Sequence, residues 1–376
     1  MTRNRWSWLT ALIVFGVLLG SAPALAGPRP PHADASLVAR NYIERFYPRW
    51  FSYEQSRVPD VNALYGPDRV TPLYGAVVAI NVDTLYASAF VDLKREPVIL
   101  TIPQTDVTYS MLRATTLGNI FEPAVPAGQP GVYALTTPDW RGKLPRNVTR
   151  VKIPYTDFLW IFRADKYSSD GQEMIAEAEE FRRNLRMAPL SEYRADPDSG
   201  PARIVTEAFF AIRFKVIADT LVARAPITFL RQLQTAVNTP GTAPLTREDK
   251  AVAAKFDRLF GNGQDLPAKL REKLARGAQE GHSRIIENYL DNTGDTNWVN
   301  FRNLGRWAPD EYLDRSSVAE FLQWGNSLPT ANYWHAFEDG TGTPLDGSSA
   351  GYVLTFPPGG LPQVSRFWSL NLFHPE

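Results

Sequence analysis

Two short polar clusters interrupt apolar stretches of this sequence, and they are where side-chain chemistry can be sought. The first is Asn81-Val82-Asp83-Thr84-Leu85-Tyr86. On an extended strand from 80 to 91, Asn81 and Asp83 share one face, with Thr84, Tyr86 and Asp92 on the other. An Asp among apolar neighbours can act as a general base or as an acceptor that orients a ligand, and Tyr86 can donate a phenolic proton. The same residues can serve structure alone. Asn81 and Asp83 can satisfy backbone groups at a strand-to-turn junction, and Tyr86 can pack as an aromatic. The backbone role is favoured, because buried polar groups are in most cases structural hydrogen-bonders.

Arg113 and Arg163 stand in strand-like runs with apolar neighbours. Each can grip a carboxylate or phosphate bidentately, or pair with Asp83 or Asp92, and the sequence does not rank these. Asn119, in Leu117-Gly118-Asn119-Ile120-Phe121, can line a pocket at a strand end or cap a turn; the turn is favoured. The second cluster sets Asp339 and Asp346 around Gly340, Gly342 and Gly347. It lacks the carboxylate density and late Glu of an EF-hand loop, so a hairpin of Asx turns is expected there rather than a Ca²⁺ site.

Other chemistries find no motif. The four His (His32, His282, His335, His374) are far apart in sequence and there is no Cys, so neither a metal site nor a bound cofactor is expected. There is no Gly-x-Ser-x-Gly elbow, and no Gly-x-Gly-x-x-Gly or Walker loop follows a strand. Lys and Arg number 40, as do Asp and Glu. This neutral balance gives no reason to expect nucleic acid as a partner.

The elements that would position these residues fall into blocks. Residues 36–48 suggest an amphipathic helix ending at Pro48. Strand runs follow at 77–80, 98–102, 109–115, 132–136, 148–153 and 158–162, separated by turn signals. In the last run Phe158, Trp160 and Phe162 take one face, Leu159, Ile161 and Arg163 the other. Val205, Phe209, Ile212 and Val216 recur at helical spacing. Thr246 with Asp249 forms a capping box for a helix that ends at Gly261-Asn262-Gly263. Residues 267–290 predict a further helix. Tyr352, Leu354 and Phe356 alternate, and 367–373 reads as a final strand. With 44% hydrophobic residues and no Cys, ordinary apolar cores must hold the chain.

The start of the chain reads as a cleavable signal peptide over 1–26. Arg3 and Arg5 precede an apolar run from Leu9 to Leu19, and Ala24-Leu25-Ala26 supplies a cleavage pattern before Gly27. The run is shorter than a membrane span. Cleavage between Ala26 and Gly27 therefore leaves no stable membrane anchor and a periplasmic or secreted protein.

Two longer patterns resemble known families. Asn81 to Tyr86, Val91-Asp92-Leu93, Glu96-Pro97-Val98, Asn119, Phe121, Gly131-Val132-Tyr133, Trp140 and Gly142 resemble the domain of unknown function numbered 1254. Tyr333, Asp339-Gly340, Pro344-Leu345-Asp346-Gly347, Tyr352, Phe356 and Phe367-Trp368-Ser369-Leu370 resemble its companion, the domain of unknown function numbered 1214. Tyr312, Leu313 and Arg315 fit the linking region. The resemblance implies an α+β, β-dominated chain of two jelly-roll or sandwich-like β domains with helices between, and a homo-oligomer. The expected division is 27–165 for the first β domain, 166–310 for the helical linking region and 311–376 for a second β domain. Chains of this kind run on past the Phe-Trp-Ser strand, so the second domain is expected to be incomplete, with exposed apolar surface.

Three functions follow from these residues. The first is a small-molecule-binding or structural envelope protein, with Asn81, Arg113, Asn119 and Arg163 as candidate ligand contacts. The second is an acid–base enzyme acting on a small molecule through Asp83 and Tyr86, assisted by Asn81 and Arg113. The third is a truncated remnant without function.

Overall fold

The computed structural model describes residues 34–70, 75, 77–122, 125–206, 211–239, 245–348 and 351–373. The signal segment, with Ala26 and Gly27, lies outside the described residues, as do His32 and His374. From Asp34 onward the described chain clusters as one unit of α+β type.

It opens with helix α1 (Ala35–Ser56). The sequence predicts a stop at Pro48, yet the helix runs eight residues further. Proline removes the hydrogen bond to the carbonyl four residues back, here that of Glu44. Ser316 Oγ donates to that carbonyl instead (2.7 Å), and Arg315 donates to the neighbouring carbonyl of Arg45 (2.9 Å). Both donors come from far along the chain, so the local rule is overridden by tertiary contact.

Strands β1 (Tyr65–Pro67), β2 (Thr84–Asp92), β3 (Val98–Ile102), β4 (Tyr109–Thr115), β5 (Gly131–Thr136), β6 (Thr149–Lys152) and β7 (Asp157–Asp165) follow. Helix α2 (Ile175–Asn184), β8 (Arg186–Pro189), α3 (Leu190–Ala195) and β9 (Arg203–Val205) come next. They build a five-stranded sheet in the order β4-β7-β2-β1-β9 and a four-stranded sheet in the order β6-β5-β3-β8. The two sheets share one apolar core, to which β2 contributes Leu85, Ala87, Ala89 and Val91, and β7 contributes Phe158, Trp160 and Phe162. Each large side chain fully buried here is worth about 1.5–3 kcal/mol. The other face of β7, with Leu159 and Ile161, is buried too, with Trp324 among the residues packed on it.

Two expected elements differ. The run Val77 to Ile80 is a turn with Ala79 at φ 51°, not a strand. Val205, read as the start of a helical pattern, ends β9, and the helix begins at Phe214.

The helical layer comprises α4 (Phe214–Arg224), α5 (Pro226–Asn238), α6 (Arg247–Phe260), α7 (Ala268–Leu290) and α8 (Tyr312–Phe321), packed around α1. The Thr246–Asp249 capping box starts α6 as expected, with both reciprocal bonds at 3.0 Å. A Cβ on Gly277 or Gly281 of α7 would collide with Ser36 or Ile43 of α1, so these glycines permit the close helix contact.

Beyond α8 the described chain has little regular structure. Strand β10 (Trp298–Val299) pairs with β11 (His335–Ala336). The strands expected at 352–356 and 367–373 do not form. No strand lies alongside them among the described residues, and an unpaired strand is not stable on its own. Val353 and Leu372 are 90% and 85% exposed. Asp339 forms the expected Asx turn, accepting from the backbone of Thr341 (2.8 Å) and Thr343 (3.1 Å).

Candidate functional site

The face of the five-stranded sheet turned away from the shared core carries an open cavity of about 110 Å³. The strand alternation creates it. Leu85, Ala87, Ala89 and Val91 of β2 point into the core, which turns Tyr86, Ser88 and Phe90 to the opposite face. Leu112 of β4 with Leu159 and Ile161 of β7 continues that floor. The turn at 77–81 and Leu322, Trp324 and Tyr333 complete the wall. Trp324 is held by its indole N–H on Gln55 Oε1 (2.9 Å), and Gln55 in turn donates to Gln323 (2.8 Å). Buried Arg182 of α2 fixes β1 and β2 at the rim by donating to the carbonyls of Pro67 (2.7 Å) and Tyr86 (3.1 Å).

One end of this apolar cavity is polar. Register sets Arg163 of β7 between Tyr86 of β2 and Ser110 of β4. Arg163 Nε donates to Ser110 Oγ (3.4 Å). Its two terminal nitrogens meet Asn326, whose amide is oriented with its oxygen toward the guanidinium, because the reverse would set N–H against N–H. In that orientation Tyr333 donates to the same amide oxygen (3.0 Å) and accepts from the Asn326 backbone N–H (3.1 Å). The partners of Arg163 are thus neutral groups. Burial pushes the Tyr86 phenol up, so it stays protonated beside Arg163. Asp165, two residues on, is engaged by Arg366 through both oxygens, with Arg366 Nε at 3.0 Å from Oδ2.

The structure therefore gathers Asn81, Tyr86 and Arg163 at the cavity and leaves the other candidates elsewhere. Asn81 Oδ1 accepts from the Asp83 N–H (2.7 Å) in a turn just before β2, so the two do not share a strand face. Lys166 holds this turn from outside, its backbone N–H on the Asp83 carbonyl (3.0 Å) and its ammonium on the Val82 carbonyl. The Asp83 carboxylate is not part of the cavity lining. Arg113 faces the shared core, where it pairs with Glu122 and lies over Trp160, not with Asp83 or Asp92. Asn119 closes a turn with Thr115 and donates to the Trp307 carbonyl (3.4 Å). Tyr333, Asn326, Ser110 and Trp324 were not foreseen as site residues. The Arg163–Ser110 pairing was implicit in strand register, whereas Asn326 left no sequence signal.

A second polar cluster lies buried among the helices. Lys215 Nζ of α4 is 2.7 Å from both Asp219 Oδ2 and Glu320 Oε1. His282 Nε2 of α7 is 3.4 Å from Asp219 and 3.6 Å from Glu320. The Tyr47 hydroxyl of α1 donates to Glu320 (2.5 Å). Burial alone would lower the His282 pKa, but Asp219 and Glu320 outweigh it and raise it to about 9. Burial alone would raise Glu320, but His282 and Lys215 outweigh it and lower it to about 2. Asp219, His282 and Glu320 have the donor types of a metal site. The Lys215 ammonium already sits between the two carboxylates, however, so the cluster is a balanced ion network tying α1, α4, α7 and α8 together.

Comparison with known proteins adds family and fold. Residues 61–189 match the family "Protein of unknown function (DUF1254)" and residues 330–376 match "Protein of unknown function (DUF1214)". Among curated proteins none matches. One solved structure it resembles is the VPA0106 protein from Vibrio parahaemolyticus, at 17% identity and a TM-score of 0.52 over 84% of this chain and 74% of that one. At that identity the likeness shows the fold alone.

Proposed function

The chain carries a DUF1254 segment followed by a DUF1214 segment, and we propose that it is a binding protein for a small, largely apolar molecule. The observation that carries this is the open cavity on the outer face of the five-stranded sheet, apolar along its floor and polar at one end. An apolar pocket with a few polar groups at one end has the character of small-molecule sites in general. The acid–base alternative is weaker, because no carboxylate is among the described residues that line the cavity, Asp83 included. The scaffold is taken as a sandwich-like pair of sheets, supported by their common core.

A thermal-shift screen of small apolar compounds tests this. A ligand present at about a hundred times its Kd should stabilise the protein by about 2.7 kcal/mol. Ser88→Trp, which places an indole in the cavity, should abolish the shift. Ligands that stabilise Ser88→Trp as well as the wild type would put binding elsewhere.

The same proposal has the protein working outside the cytoplasm, supported by the Arg3–Ala26 segment. No helix among the described residues is long and apolar enough to cross a membrane. N-terminal sequencing of the exported protein should begin at Gly27.

A further inference from the structure

The cavity lining is electrically lopsided. Of the described residues that form it, Arg163 alone carries a charge at neutral pH, and no Asp or Glu is among them. A guanidinium remains protonated under all ordinary conditions. Its contacts here are a hydroxyl, a carboxamide oxygen and two phenols, which are weaker partners for a cation than a carboxylate. The nearby carboxylate of Asp165 is held by Arg366. An apolar chamber with one under-compensated cation at its end is complementary to a molecule with an apolar body and one negative charge.

We infer that the ligand is a monocarboxylate with an apolar body, seated with its carboxylate on Arg163 and its body along Phe90, Leu112, Leu159 and Ile161. This rests on the cavity being the binding site. A single negative charge is favoured over a phosphate dianion because the lining offers one cation and no second to balance it. The planar fork of Arg matches the two oxygens of a carboxylate. Tyr86, at the same end, supplies a further hydroxyl. An amine-headed molecule would meet Arg163 as a like charge, and an alcohol would leave it as it is.

Displacement of the neutral dye Nile red from the purified protein by decanoate, 1-decanol and decylamine tests the inference. Decanoate should bind at least about tenfold more tightly than decanol, about 1.4 kcal/mol, and decylamine should bind weakest. In Arg163→Met the decanoate advantage should vanish while decanol binding persists. Arg163→Lys keeps the charge without the fork; it should retain part of the advantage and shows that loss in Arg163→Met is not loss of folding. Equal binding of decanoate and decanol to the wild type would overturn the inference and leave an apolar binding cavity standing. So would a preference that survives in Arg163→Met. If Nile red and all three probes fail to bind, the binding function falls and the inference falls with it.

Discussion

The molecule holds two polar clusters inside apolar surroundings, and they are built on opposite plans. Among the helices, Lys215 and His282 face Asp219 and Glu320, so the charges balance. On the outer face of the five-stranded sheet, Arg163 faces Ser110, Asn326 and two tyrosines, so its charge does not. Burying charges is costly unless they are paired. The helical cluster meets that requirement within the chain and joins four helices in doing so. The cluster on the sheet meets it only with help from outside, and it opens on a cavity. A closed polar network reads as architecture, whereas an uncompensated one beside empty space reads as a site.

The sharpest way to break this comparison is to unbalance the closed cluster. Glu320 is wholly buried, and Glu320→Gln keeps its volume while leaving Lys215 and His282 with one carboxylate for two cations. Loss of one partner of a buried ion pair costs about 3–5 kcal/mol, read as a lower urea midpoint at unchanged slope. Arg163→Met removes a charge that has only neutral partners, and its stability cost should be well below that of Glu320→Gln. Equal costs would mean that Arg163 is as much a structural residue as Glu320.

A pH series separates the clusters more gently. His282 in the folded protein lies at about 9, above its usual 6.5. Its stabilisation is therefore fully present below about pH 6.5 and lost as pH rises through about 9. Glu320 lies at about 2, below its usual 4.5, so its contribution holds above about pH 4.5 and is lost as pH falls through about 2. Urea midpoints should decline between roughly pH 6.5 and 9 in the wild type, and the decline should be smaller in Glu320→Gln, where the imidazolium has lost one of its two carboxylates. A flat alkaline profile in the wild type would show that His282 is neutral in the folded protein.

Parts of both larger sheets were legible in the sequence, and the reason is local. Strands β3 and β4 have the expected limits, and Phe158, Trp160 and Phe162 share the core face, because alternation along one strand needs no knowledge of its neighbours. Asn81 also serves its simpler expected role, accepting from the backbone N–H two residues on. What failed depended on distant partners. Pro48 does not end α1, because Ser316 and Arg315 satisfy the carbonyls at the break. Val77 to Ile80 has a strand's composition but turns across the cavity wall. Arg163 was legible as a candidate anion contact, but its distinction from Arg113 was not. It rests on Glu122 lying beside one and Asn326 beside the other.

The variant with the finest expected effect on binding bears most directly on the open cluster. Arg366 pairs with Asp165 from the chain's last described stretch, and its side chain is about a third exposed. Asp165 is buried, so the pair lies between a surface pair at about 0–1 kcal/mol and a fully buried one at about 3–5 kcal/mol, and Arg366→Ala should cost less than Glu320→Gln. Asp165 sits two positions from Arg163 on the same strand, hence on the same face, and already senses its charge. Released from Arg366, it becomes a carboxylate partner for Arg163 and compensates the cation that the cavity otherwise leaves bare. The preference for decanoate over decanol should then shrink in Arg366→Ala, with decanol binding unchanged. In the double variant Arg366→Ala, Asp165→Asn the preference should return. A preference that stays at the wild-type value in Arg366→Ala would mean that Asp165 does not reach Arg163, and that the charge of the open cluster is set by Arg163 and its ligand alone.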